Sequence, residues 1–174
     1  NIEVPVLRHV DLGAEETTFS GAANGIGKSL YLDLFNLGND DEQYNLGIGQ
    51  SNWRLQASLP ADQSPVLDAW DGESTVVVQL AMPIGLSPGF YSVTITATSV
   101  DDENVFDSVE LIIEILETAA VFVSDEETGQ SYIPGDLAQT MSFEVRNDGN
   151  NPDSFAMSLN IPTGMNAAFT NLIA

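Results

Sequence analysis

Residues 22–29 read Ala-Ala-Asn-Gly-Ile-Gly-Lys-Ser, the spacing of a relaxed phosphate-binding loop. In such a loop backbone N–H groups cradle phosphate oxygens, a lysine such as Lys28 reaches the outer phosphates and a hydroxyl such as that of Ser29 meets magnesium. The mechanism needs a buried strand before the loop and a helix after it. Here Thr17-Thr-Phe-Ser precedes, and Leu30-Tyr-Leu-Asp-Leu follows and alternates like a strand. The expectation is therefore a Gly-rich connection, not a nucleotide site. Other catalytic sets lack parts. His9 is the only histidine and there is no cysteine, so nucleophilic triads and zinc sites have no members to draw on. Carboxylate pairs carry no glycosidase signal in so acidic a chain. No catalytic residue is expected.

Two acidic turns come closest to a chemistry. Asp40 and Asp41 fall in one, and Asp101, Asp102 and Glu103 in another. Hard cations gather several carboxylate, amide and carbonyl oxygens, so calcium is the one cofactor these residues suggest. Asp148 and Asp153 lie in a further turn of the same kind, expected to face a junction near Glu117. No Asp-x-Asp-x-Asp-Gly loop is present, and solvated acidic turns are the competing reading. A glycan-binding site would need an exposed aromatic platform. Trp53, Trp70 and Tyr31 could supply it, although each is expected in or beside the core.

Composition narrows the classes further. The 174 residues hold 26 Asp and Glu against 4 Lys and Arg, a net charge of −22. Phosphate backbones are bound by basic residues, so no nucleic-acid partner is expected. Anionic lipid would repel the chain, and no stretch of about 18 apolar residues is present to insert. The acidic balance fits a soluble surface or life among salts and divalent cations. Asn1-Ile-Glu-Val lacks a basic, apolar leader, which suggests a mature or excised segment. No asparagine begins an Asn-x-Ser/Thr acceptor, which leaves only O-glycosylation open.

The elements that must carry these residues announce themselves by a line written twice. Leu30–Leu46 reads LYLDLFNLGNDDEQYNL and Met141–Met157 reads MSFEVRNDGNNPDSFAM. At an offset of 111, Asn36 meets Asn147, Gly38 meets Gly149, Asn39 meets Asn150 and Tyr44 meets Phe155. Alternating apolar residues around an Asn-x-Gly-Asn turn, at a period of about one domain, indicate tandem β-modules. Period-2 alternation predicts strands at 2–7, 29–35, 43–48, 74–82, 89–99 and 105–116, with a short one beginning near Trp53 and Leu55. Pro5 marks the first as an edge strand. Residues 10–28 are expected to be a long connection and 58–73 a loop. No segment carries a helical apolar stripe.

About seven strands in residues 1–117 match the size of an immunoglobulin-like sandwich. A second module is expected from 118, with strands at 119–124, 140–147 and 154–161 and no linker before it. The expected fold class is all-β: tandem immunoglobulin-like antiparallel β-sandwiches, the second (118–174) incomplete. No counterpart of 74–116 follows in it. Met141, Phe143, Val145, Phe155 and Met157 should then form an apolar interaction surface. Further repeats of the same polypeptide are its expected cover, and strands from a neighbouring copy, by self-association, the alternative.

The pattern of strand, Asn-x-Gly-Asn, strand, then Asp71-Gly-Glu-Ser-Thr-Val-Val-Val-Gln-Leu and Pro88-Gly-Phe-Tyr-Ser-Val-Thr-Ile-Thr-Ala-Thr-Ser resembles the Ig-like repeats of prokaryotic, especially archaeal, cell-surface proteins. These are of the alpha-galactosidase-associated and cell-adhesion-related types. The likeness covers 29–116 well and 140–170 in part. It implies a structural role outside the cell or at its surface, in a surface layer (S-layer), stalk or filament. The alternatives are an adhesion or carbohydrate-binding module, or an accessory domain of a larger secreted enzyme.

Overall fold

A computed structural model describes residues 2–50, 52, 54–125, 135 and 141–169. Trp53 and residues 126–134, expected as a loop, lie outside the described residues. The chain is all-β, and eight strands build one sandwich: β1 (Val10–Gly13), β2 (Thr18–Ala22), β3 (Gly27–Asn36), β4 (Tyr44–Gln50), β5 (Gln56–Ser58), β6 (Gly72–Ala81), β7 (Gly89–Ser99) and β8 (Phe106–Leu116). One sheet runs β1-β3-β6-β5 and the other β2-β8-β7-β4. This is the immunoglobulin strand order with its first strand split between the sheets. Two further strands, β9 (Val121–Asp125) and β10 (Phe143–Asn147), pair antiparallel in a separate sheet.

Alternation explains the core. Leu30, Leu32 and Leu34 of β3 and Val76, Val78 and Leu80 of β6 face Val93, Ile95 and Ala97 of β7 and Leu111, Ile113 and Ile115 of β8, all buried. Every second residue points inward, so two pleated faces interdigitate and leave Thr and Glu outside. Removing these aliphatic groups from water, at ~25 cal/mol per Å2, is what opposes chain entropy here. Leu55, Leu67 and Leu86 are also buried, from loops.

Several expectations need correction. Residues 10–28 are no plain connection: β1 and β2 lie there, because Val10 and Leu12 bury one stripe and the chain then changes sheets. Asp107 of β8 helps the crossing by accepting the Leu12 N–H at 2.9 Å. β2 pairs parallel to β8, so the sandwich is not purely antiparallel. Residues 2–7 form no strand, and neither do 154–161. In both places the described residues offer no ladder partner. Tyr31 and Trp70 are exposed, at 66% and 65%. Tyr31 falls on the outward register of β3, opposite Val77, and Trp70 lies in the turn that precedes β6.

Candidate functional site

β3 and β4 are joined by the Asn-x-Gly-Asn turn at the pole where the chain enters the sandwich. Asn36 closes β3 and is buried, at 1% exposure. Its Oδ1 accepts from Gly38 N at 3.0 Å and from the Tyr44 hydroxyl at 3.2 Å. Its Nδ2 donates to the carbonyls of Asp40, Leu67 and Asp68. One amide thus ties its own turn to the loop leading into β6. Gly38 must be glycine because a side-chain carbon there would collide with the Leu7 carbonyl. That close approach lets Asn39 work as a clamp. Its N–H donates to Leu7 O at 2.9 Å, its Oδ1 accepts Leu7 N at 2.6 Å and its Nδ2 donates to Pro5 O at 2.9 Å. Residues 5–7 are thus held by one residue rather than by a sheet.

The second copy repeats the turn's own bonds and those of the clamp. Asn147 Oδ1 accepts Gly149 N at 2.9 Å, and Nδ2 donates to Asn151 O at 2.8 Å. Asn150 N donates to Thr118 O at 3.0 Å, Asn150 Oδ1 accepts Thr118 N at 2.7 Å, and Asn150 Nδ2 donates to Leu116 O at 2.9 Å. The clamped segment here is the link between β8 and β9. Asn150 Nδ2 also reaches Leu86 O at 3.2 Å, in the connection between β6 and β7, and Asn151 Nδ2 donates to Glu117 at 3.0 Å. The junction is therefore fastened to the sandwich it leaves. Asp148 and Asp153 belong to this turn. Asp148 is paired with Arg146, whose hydrogen bond holds that carboxyl below the usual range.

The entry pole is acidic, and its centre is a cation. Arg8 donates to Glu42 at 2.7 Å and to Asp101 at 3.0 Å and lies 3.9 Å from Asp40. Glu42 is buried at 3% exposure, and Arg8 neutralises it. The Asp101 hydrogen bond, opposed by desolvation and aided by Glu42, raises the Arg8 pKa further. The structure brings Asp40 and Asp101 to one pole, with Arg8 between them. Asp41 turns away to accept Ala69 N, and Asp102 caps its own turn by accepting from Asn104, which lowers its pKa. Glu103 is exposed on the same turn. Among the described residues no three acidic or histidine groups gather as metal ligands. Burial raises the Tyr44 phenol to about 12, with Glu42 adding to the effect and Arg8 opposing it.

Other candidates resolve simply. Residues 22–29 run from the last residue of β2 into β3, so Lys28 and Ser29 are strand residues; Gly25, between the two strands, has a φ of 78°, and Lys28 lies over the Phe19 ring at 4.7 Å. No helix follows the motif, so its N–H groups do not converge. His9 is exposed and uses its carbonyl to accept Leu37 N. Trp70 is the only non-glycine residue with positive φ among those described, at 77°. Its N–H donates to Gly38 O at 2.7 Å, which holds the indole outward beside the entry pole. Met141 and Phe143 are exposed, whereas Val145, Phe155 and Met157 are half-buried. Phe143 meets Phe169 edge-on at 6.1 Å, and Arg146 covers Phe122.

The roles of Arg8, Asn39 and Asn150 were missed by reading the turn as local punctuation. The recurrence of the second asparagine, and not only of the first with its glycine, was the available signal.

No protein-family model matches this chain, and no curated protein matches it in sequence. Solved structures resemble it in backbone. PapD-like domain 7 of human CEP192 is 13% identical, covers 63% of this chain and 86% of its own, and has a TM-score of 0.44. The SrpA adhesin (R347E mutant) of Streptococcus sanguinis is 12% identical over 63% of this chain and 58% of its own, with a TM-score of 0.46. The chaperone DraB of E. coli is 10% identical over 62% and 54%, with a TM-score of 0.40. Such values bear on no function. The sandwich is established by its own strand order.

Proposed function

We propose that this chain is a structural module of an extracellular or cell-surface assembly, a layer, stalk or filament built from serial β-sandwiches of the surface-repeat type. The observation that carries the reading is the repeated clamp. The same asparagine-to-backbone bonds fix the segment entering the sandwich and the segment leaving it, and the second set reaches back to Leu86. A binding or catalytic protein has no need to build one joint twice, whereas an array must. A joint of two or three clamped residues restricts the angle between neighbours, unlike a Gly/Ser linker. The work is mechanical, and no step of bond chemistry is assigned to any residue.

Small-angle scattering of the 174-residue chain and of its Asn150→Ala variant tests the joint. The unaltered chain should fit one arrangement of β9–β10 against the sandwich, and the variant a broad spread. Equal spreads in the two would overturn the reading. Labelling of intact source cells by an antibody to the sandwich tests the location; labelling only after lysis rejects a surface role.

Trp70 supports a second reading, adhesion to glycans. An exposed indole held in a left-handed backbone costs of order 1–2 kcal/mol, and such outliers collect at binding sites. A glycan array probed with the chain and with Trp70→Ala separates the two readings. Binding lost in the variant favours adhesion; no binding by either leaves the structural role alone.

A further inference from the structure

We infer that Ile2–Pro5 is the end of the last strand of another β-sandwich of the same kind, placed ahead of this one, and that Asn39 locks that joint as Asn150 locks the next. The inference rests on the structural reading above and names a partner surface for it.

The offset of 111 that aligns the two turns also aligns what they hold. Pro5 falls on Leu116, Leu7 on Thr118 and His9 on Ala120. Each pair occupies the same place in the bonding. Pro5 O and Leu116 O accept from the clamp amide, Leu7 and Thr118 exchange backbone bonds with it, and His9 O and Ala120 O accept the N–H two residues before the clamp. Carried three residues further toward the N-terminus, the register puts Ile2 on Ile113, Glu3 on Glu114 and Val4 on Ile115. In β8 those residues read in, out, in. Ile113 and Ile115 are buried at 1% and 2%, opposite Tyr91 and Gly89 of β7 and beside Phe19 and Gly21 of β2.

Ile2-Glu-Val has the same alternation and the opposite surroundings. Ile2 is 95% exposed and Val4 71%. An apolar pair at strand spacing, with its backbone already steered by a clamp, is the terminal strand of a sheet whose other strands lie elsewhere. The occupant follows from the register. It is a sandwich whose seventh strand pairs antiparallel with residues 2–4, whose second strand pairs parallel with them, and whose core receives Ile2 and Val4. Pro5 falls on Leu116, the last residue of its strand, so the ladder formed by residues 2–4 would end there, a proline having no N–H to donate. The clamp carries a further mark. Asn150 Nδ2 donates to two carbonyls, Leu116 O and Leu86 O, the latter from the sandwich being left. Asn39 Nδ2 donates to Pro5 O alone among the described residues, so its second proton is free for the carbonyl equivalent to that of Leu86. On this register the repeat unit is residues 7–117, one full period, and residues 2–6 belong to its neighbour.

Hydrogen exchange on the polypeptide as the source organism makes it, read beside the 174-residue chain, tests the inference. In the natural polypeptide the amides of Glu3 and Val4 should exchange at least a hundredfold more slowly than in the 174-residue chain, approaching those of Glu114 and Ile115. Asn39→Ala should weaken protection over 2–7 and leave 113–118 unchanged. Free exchange at Glu3 and Val4 in the natural polypeptide overturns the inference. So does equal protection in the 174-residue monomer, and so does protection that grows with concentration, which would mean strand exchange between copies. Failure of the structural reading would show elsewhere, as a loose joint at Leu116–Thr118 in scattering whatever happens at residues 2–4.

Discussion

The two Asn-x-Gly-Asn turns make the same bonds to the segments they hold and differ in what lies behind them. Asn36 is buried and satisfies the carbonyls of Leu67 and Asp68 in a neighbouring loop, while Tyr44 hydrogen-bonds its oxygen. Asn147 is exposed, has among the described residues only its own turn to hold, and has Phe155 in the place of Tyr44. Arg8 sits beside the first clamp with Glu42; at the same offset the second copy has Ala119 in place of Arg8 and Asp153 in place of Glu42. The clamp is thus a local device that works at a solvated joint, and the buried network around the first copy is an addition that locks one pole of a finished sandwich.

Substitutions can break or sharpen that comparison. The largest contrast is expected between Asn36→Ala and Asn147→Ala. The first strands several buried polar groups at about 1–3 kcal/mol each and should cost about 3 kcal/mol or more; the second should cost about 1 kcal/mol or less. Urea denaturation of the whole chain measures both, and equal losses would show that burial of the first turn contributes nothing. Next comes Arg8→Ala, which leaves the buried Glu42 carboxylate without its cation and should lower the melting temperature clearly. Calcium should then raise the melting temperature of the variant more than that of the unaltered protein, because Arg8 no longer stands between Asp40 and Asp101. Equal responses would remove calcium from consideration at this pole.

Tyr44→Phe makes the first turn resemble the second and should cost about 1 kcal/mol, the net worth of one buried hydrogen bond. Its pH signature is specific. The folded phenol holds its proton up to about 12 against 10.0 when unperturbed. Stability linked to it is therefore complete below about pH 10 and is lost as pH rises through about 12. The phenylalanine variant should lose that portion of the alkaline slope, and an unchanged slope would assign it to other groups. The smallest effect is expected from the reverse change, Phe155→Tyr, within about 0.5 kcal/mol at so exposed a turn.

How far these features could be read from residues alone depends on range. β7 was expected at 89–99 and lies at Gly89–Ser99, because Tyr91, Val93, Ile95 and Ala97 alternate without interruption. β1 and β2 were hidden because each is short and the chain changes sheets between them, so no single alternation spans both. The candidate site was half legible. Recurrence of Asn and Gly marked the turn, and the acidic residues marked the pole. Of the clamp only the recurrence of its asparagine was legible, since it joins Asn39 to residues 32 and 34 positions away through backbone atoms that have no residue-type signature. Arg8 was overlooked for the same reason: its partners Glu42 and Asp101 are distant in the chain and adjacent only through topology.

The parallel pairing of β2 with β8 bears on what happens when such a chain is pulled. The polypeptide enters at the pole of Leu7 and leaves at the opposite pole through Leu116, so tension draws β2 toward one end and β8 toward the other. The rungs from Thr18–Ile112 to Ala22–Leu116 lie side by side along that line. They are loaded in shear and must fail together, whereas a hairpin opened from its end would unzip one rung at a time. Pulled from its two poles, this sandwich should hold up to a sharp threshold force and then yield in one step.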